Sequence, residues 1–343
     1  MTTQELAFDI LSDRAGVEEP TAPTLAEVSA AADILEATDC REPTAERFRA
    51  LNVIKGAQDR ITPDVYVEFC EAELKLTQSE LSDLYKRYPA LYWYDRAFGK
   101  VLAEVQQETV PAGGTVLWHI YNMGYVVKTA KHCFAIDLHH RRSEELLPLL
   151  EFLAITHNHN DHYTIRLAQR MNRSHKPVIT NFYPNDGYNV PYPDNGYFKG
   201  PEHTLHLDDI TVTTYEADHN VKLHNFVQPV EITCGTEENA CVIFSSGDTC
   251  DAKQLRHHSP KIDFYLVHPY VGLKVDEAAT LLTPQITLVS HLEEYHHAID
   301  KYRWTWRQGY EAARKIWNTD HQAIVPVCGD KIVFAGVANS SPN

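Results

Sequence analysis

Apolar residues follow two rhythms along this chain. Between Leu25 and Leu102 they recur at helical spacing: Leu25, Val28, Ala32 and Leu35, then Val65, Phe69, Ala72 and Leu76. The aromatic run Leu91-Tyr92-Trp93-Tyr94 continues the pattern to Phe98 and Leu102, as a helix packed on a partner surface would. Start signals stand where they are needed. Thr24-Leu-Ala-Glu27 and Thr77-Gln-Ser-Glu80 have the spacing at which hydroxyl and carboxylate reciprocally satisfy free backbone N–H groups. Thr62-Pro63 puts a proline at a first helical position, where its missing N–H costs nothing. Past the turn at Pro111–Gly114 the rhythm shortens to strands. Val116–Tyr121, Tyr125–Thr129 and Cys133–Leu138 come first, then Phe152–Thr156, Val178–Thr180 and Ile210–Tyr215. Ala240–Phe244, Ile262–Val267, Ile286–Ser290 and Ile324–Val327 complete the set, with helical stretches at Tyr163–Met171 and Trp304–Trp317. Alternating strands and helices predict an α/β domain over residues 109–343, preceded by an α-helical segment over 1–108.

Composition narrows the class. The 343 residues suit two domains, and 47 acidic against 31 basic residues give a net charge of −16. Nucleic-acid binding requires cations to neutralise phosphates, so it is not expected. No apolar run approaches the 18 or so residues a membrane span needs. The start, MTTQELAFDILSDRAG, has neither the basic opening nor the apolar stretch of a signal peptide. Seven scattered cysteines without a C-x-x-C pair point to reduced thiols and a cytoplasmic protein. Residues 1–108 hold 21 acidic and 11 basic side chains and no histidine, whereas all 19 histidines lie from His119 to His321. The helical segment is expected to pack beside the catalytic domain or to make a homodimer contact.

The chemistry is concentrated after the strand Phe152–Thr156, in His157-Asn-His159-Asn-Asp161-His162. Imidazole and carboxylate are the preferred donors for zinc and its neighbours. Alternate residues of an extended loop can converge on one ion, so His157 and His159 are placed to share one, and Asp161 and His162 turn toward a second. This H-x-H-x-D-H stretch resembles the signature of the metallo-β-lactamase fold superfamily. The resemblance implies an αββα sandwich and further residues in order. Asp137 closes an earlier strand as a residue orienting a ligand, and His219 follows Tyr215-Glu-Ala-Asp. Asp248 sits in Ser245-Ser-Gly-Asp248, and His291 closes Thr287-Leu-Val-Ser. Strand-end placement favours His219 over His224 and His291 over His296 or His297. Asp251 is expected to start a helix. His268, His296, Tyr183 and Tyr188 are taken as substrate-facing, and the pairs His139-His140 and His257-His258 as surface residues. Within the superfamily, the Thr156–His162 stretch, the Ser-Gly-Asp turn, Leu117-Trp118 and the hairpin around Val327–Ile332 resemble the L-ascorbate-6-phosphate lactonase group. Ser290-His291-Leu-Glu-Glu294 departs from that group's paired-histidine turn.

What the resemblance implies is two divalent ions, zinc first, with manganese or iron also admitted. His157, His159 and His219 would hold one; Asp161, His162 and His291 the other; Asp248 would be shared. Asp161 and Asp248 are the expected catalytic carboxylates. A metal-bridging hydroxide would attack a small ester-like substrate, a lactone ahead of a phosphodiester. The alternatives are a di-iron oxidative enzyme on the same fold and a non-catalytic, metal-stabilised binding protein. The aromatic-rich connection Asn181–Gly200 is the expected substrate wall. No P-loop, dinucleotide fingerprint, nucleophile elbow or H-E-x-x-H motif is present.

Overall fold

The computed structural model describes residues 3–11, 22–71, 76–182, 200–235 and 240–334. Helices α1 (Thr3–Ile10), α2 (Leu25–Ala37), α3 (Ala45–Gln58), α4 (Pro63–Glu71), α5 (Gln78–Arg87) and α6 (Pro89–Gln107) come first. Both anticipated capping boxes are present: Thr24 with Glu27 opens α2, and Thr77 with Glu80 opens α5. Pro63 is the first residue of α4. Helix α3 has no counterpart among the sequence expectations; buried Arg47, Lys55 and Gln58 break its apolar period.

Thirteen strands follow among the described residues: β1 (Thr115–Tyr121), β2 (Gly124–Thr129), β3 (Cys133–Ile136), β4 (Leu153–Ala154), β5 (Val178–Ile179), β6 (Glu202–Leu207) and β7 (Ile210–Tyr215). The rest are β8 (Val230–Cys234), β9 (Cys241–Ser245), β10 (Ile262–Val267), β11 (Pro284–Val289), β12 (Gln322–Ile324) and β13 (Lys331–Phe334). They form a six-stranded sheet in the order β13-β1-β2-β3-β4-β5 and a seven-stranded sheet in the order β12-β11-β10-β9-β8-β7-β6. Helices α7 (Ile165–Arg173), α8 (Val275–Leu282) and α9 (Trp306–Trp317) complete the chain. Alternation along each strand sets the layers. In β1, Leu117 joins a cluster with Ile136, Ile243 and Leu266 between the sheets, while Val116, Trp118 and Ile120 join the cluster that includes the helices. In β9, Ile243 faces inward and Val242 and Phe244 outward. Both faces are covered, which is why these strands read as continuous apolar runs. The result is the α/β sandwich the motif implies.

Strand direction positions the site. In the first sheet β3, β4 and β5 are parallel; in the second, β9 through β12 are parallel. Strand β7, two antiparallel steps from β9, runs the same way as β9. Carboxyl ends of parallel strands share an edge, where open α/β sheets place their ligands.

The helical segment is built into this core. Phe48, Tyr66, Trp93, Tyr94 and Phe98 share one apolar cluster with Val116, Trp118 and Ile120. Arg47 Nη2 meets Asp330 Oδ2 at 2.5 Å with both side chains buried, and Gln58 Nε2 donates to the Tyr295 hydroxyl at 2.9 Å. This layer overturns one expectation. His139 and His140 are buried, because Tyr94 and Phe98 stack on the His140 ring at 4.1 and 4.0 Å and Tyr66 bonds to His139. Of the other pair, His257 is half-buried and His258 exposed. Strands β6, β8 and β13 have no counterpart among the expected strands, and β4 is shorter than its apolar run. All seven cysteines are unpaired, and no helix among the described residues is long and apolar enough to cross a membrane.

Candidate metal centre

Each residue singled out by the motif follows a strand of this common edge. Asp137 comes one residue after β3, His157 three after β4, Asp248 three after β9 and His291 two after β11. His219 follows β7 at a longer interval. Ligand atoms of His157, His159, His219 and Asp248 all lie within 4.8 Å of one another, as do those of Asp161, His162 and His291. Asp248 joins the two groups. Its Oδ2 lies 3.4 Å from His219 Nε2 and 3.8 Å from His157 Nε2, while its Oδ1 lies 3.4 Å from His162 Nε2. On the other side, Asp161 Oδ2 is 3.1 Å from His291 Nε2 and 3.7 Å from His162 Nε2.

Supporting contacts hold these groups in place. Asp137 is wholly buried and accepts from the Thr156 N–H and hydroxyl at 2.7 Å each, and from His162 Nδ1 at 3.0 Å. That bond fixes which imidazole nitrogen His162 turns toward the carboxylates. Asn122, in the β1–β2 turn, donates through Nδ2 to Asp161 Oδ2 at 3.0 Å and accepts the His291 N–H at 3.1 Å. His291 itself has φ of 61°, a left-handed conformation that non-glycine residues rarely hold outside constrained sites. Phe226 covers the first group, its ring 5.1 Å from that of His159 and 5.7 Å from that of His157. Thr156, Asn122 and Phe226 escaped the sequence reading.

Electrostatics suit cation binding. Burial pushes the His157 pKa well down and that of His159 down to about 4, keeping both rings neutral and able to coordinate. Burial opposes ionisation of Asp161 and Asp248 as well, yet the surrounding imidazoles hold both carboxyls well below the usual range. For His162 burial again resists charge, but the carboxylates of Asp248, Asp161 and Asp137 raise its pKa well above the ordinary value. His162 Nε2, His291 Nε2 and Asp248 Oδ1 are buried without hydrogen-bond partners. Buried polar atoms are seldom left so, and a cation between them would satisfy all three. The all-nitrogen-and-oxygen donor set admits zinc, manganese or iron.

The remaining candidates divide. His268 joins the cluster, its Nδ1 3.1 Å from Asp248 Oδ1 and its ring stacked on that of His291 at 3.6 Å. His296 packs its ring on Tyr66 and His139 at 4.9 and 4.7 Å and lines an open cleft of about 330 Å³ with Val67, Cys70 and Tyr163. His297 bonds to buried Glu294 at 2.5 Å, and these two form a further group with Asp161. His224 is exposed and pairs with Asp218, and Asp251 caps a short 3₁₀ turn at Ala252–Gln254. Tyr183 and Tyr188, with most of the connection from 181 to 200, lie outside the described residues.

No protein-family model matches the chain, and no curated protein matches it significantly. Solved structures with a similar fold include a metallo hydrolase from the archaeon Ignicoccus hospitalis (TM-score 0.48, 17% identity, 65% of this chain and 99% of that one). A metallo-β-lactamase fold protein from Bacillus subtilis is another (TM-score 0.44, 11% identity, 64% and 99%). CmlA, a diiron β-hydroxylase from Streptomyces venezuelae, is a third (TM-score 0.49, 14% identity, 78% and 62%). These likenesses concern the fold alone. Architecture and site together define the class: an α/β sandwich of two sheets with His and Asp groups that could hold metal at its strand ends.

Proposed function

We propose that this protein is a dinuclear metal-dependent hydrolase acting on a small ester-like substrate, a lactone first and a phosphodiester next. One observation carries the reading: Asp248 directs one carboxylate oxygen toward His157 and His219 and the other toward His162. A carboxylate so placed suits bridging two cations. His157, His159 and His219 would hold one ion and Asp161, His162 and His291 the other. Such a pair, when bound, lowers the pKa of water and polarises a carbonyl or phosphoryl oxygen. The protein's own residues do the rest. Asp137 and Thr156 fix His162 and His157 in the tautomers that turn lone pairs toward the ions, Asn122 orients Asp161, and Phe226 shields the first group from water.

The purified chain, loaded with zinc, manganese or iron in turn, is assayed against lactones, phosphodiesters and thioesters. Turnover is expected in at least one ester class. Asp248→Ala should lower it by more than about 100-fold, because even partners outside the ligand shell are worth about 10–100-fold. Equal turnover by wild type and variant would end the proposal. The oxidative alternative predicts a coloured iron centre and no hydrolysis.

A further inference from the structure

We propose that the cleft of about 330 Å³ between α4 and the start of α7 is a substrate subsite that takes an uncharged hydrocarbon arm of the ester. The proposal rests on the hydrolase reading above and deepens it by naming the class of substrate. The cleft is built from the same segments as the candidate metal centre. Asn160, in its lining, stands between His159 and Asp161, and Tyr163 and Thr164 follow His162 directly. His296, also in the lining, donates through Nδ1 to Glu294 at 2.9 Å. The Glu294 carboxylate in turn lies within 4.8 Å of ligand atoms of Asp161 and His297. Helix α4 of the helical segment supplies Val67 and Cys70.

Charge decides what such a cleft accepts. Its lining holds two cations, and both are engaged. Arg141 is buried and bonds through Nε to the Asp95 carboxylate at 2.8 and 2.9 Å. Arg166 donates to the Arg141 carbonyl at 3.2 Å and lies 3.9 Å from Glu144. An anionic group here would have to draw Arg141 away from buried Asp95, and stripping a buried carboxylate of its cation is costly. Glu71, exposed at the rim, repels anions further. His139 is neutral, with Nδ1 bonded to Tyr163 O at 3.2 Å and Nε2 to the Tyr66 hydroxyl at 3.0 Å. The rest of the lining is apolar surface with uncharged polar groups such as Asn160. Val67 is 40% exposed, Ile165 is half-buried, and the rings of His139 and His296 meet edge to face at 4.7 Å. Covering Val67 and Ile165 with hydrocarbon removes apolar area from water, which is favourable without any directed bond. The volume lies at the small end of ligand pockets, which suits an arm of a few carbons. A lactone carrying a phosphate finds no unengaged cation in this lining among the described residues.

The full-length chain, loaded with the metal that supports turnover, is assayed on γ-lactones with side chains of up to about six carbons, with and without a terminal phosphate. Over the first few carbons kcat/KM should rise about fourfold per methylene, and adding the phosphate should lower it. Val67→Trp and Ile165→Trp, which fill the cleft, should each flatten the dependence on arm length. A flat dependence in wild type, or a preference for the phosphate-tipped arm, would overturn the proposal. Methyl NMR of the metal-free chain reads the cleft without turnover. There 1-hexanol should shift the Val67 and Ile165 methyl signals and 6-hydroxyhexanoate should not; signals unmoved by 1-hexanol would equally overturn the proposal. These wild-type readings decide even where a variant does not fold. If no lactone is turned over while 1-hexanol still moves both signals, the hydrolase reading falls and the hydrocarbon subsite stands.

Discussion

Asp137 shows how much one side chain does here. It holds φ of 44°, a strained value for a non-glycine residue, and spends both oxygens on Thr156 and His162. Asp137→Ala should leave His162 free to turn and weaken binding of the second ion by about 10–100-fold, measured by calorimetric titration of the metal-free protein. An orienting role for it was what the resemblance implied, whereas Thr156 and Asn122 reach the cluster through a loop and a turn whose paths no periodicity records. His139 sets a second expectation. Tyr163 O can only accept, so His139 Nδ1 donates to it and Nε2 accepts from the Tyr66 hydroxyl, which is the neutral form. Burial accordingly lowers its pKa to about 3. In the unfolded chain it titrates near about 6.5. The unfolded state therefore gains a proton first, and stability falls as pH drops from about 6.5 toward 3. Urea unfolding at pH 7 and pH 5 should show this loss, and His139→Gln should reduce it.

At the scale of elements, the turn between β9 and the following segment is the most demanding. Gly247 has φ of 50°, and a Cβ there would stand 2.7 Å from the Thr156 side chain. That places the Ser-Gly-Asp turn directly against the loop that follows β4. Gly247→Ala combines left-handed strain with overpacking, roughly 2–5 kcal/mol of stability by chemical denaturation, and should displace Thr156 from Asp137. Apart from β4, the strands bearing the site lie close to their expected bounds because burial on both faces selects β-branched and aromatic runs. Strand β6 was missed since its residues alternate between exposed and half-buried, and its His-Thr-Leu-His sequence carries little apolar signal. The edge bearing the candidate ligands is shared because parallel pairing, or two antiparallel steps, returns the carboxyl ends within each sheet to one side.

For the whole molecule, the helical layer and the sandwich are tied by a buried ion pair between residues 283 positions apart, Arg47 and Asp330. Arg47→Met leaves Asp330 buried without its cation, although Val327 N–H still bonds to it at 2.8 Å. The expected cost is about 3–5 kcal/mol, read from the denaturant midpoint. Helix α4 also reaches the functional edge: Val67 and Cys70 line the cleft with His139 and His296, and Tyr66 bonds to His139. The acidic excess of residues 1–108 gave no hint of this. Charge reports the outer face of a helix, while the inner face is written in residues that suit any apolar partner.

Local order along the chain determined the α/β class, the helix starts at Thr24, Pro63 and Thr77, and the dense His-and-Asp run after β4, because caps, alternation and ligand spacing act over a few residues. Tertiary structure alone decided that His268 meets Asp248, that His139 and His140 are buried, and that helices α3, α4 and α6 form part of the core. Those outcomes depend on which faces meet across hundreds of residues, and packing selects them by shape and satisfied hydrogen bonds, neither of which has a period in sequence.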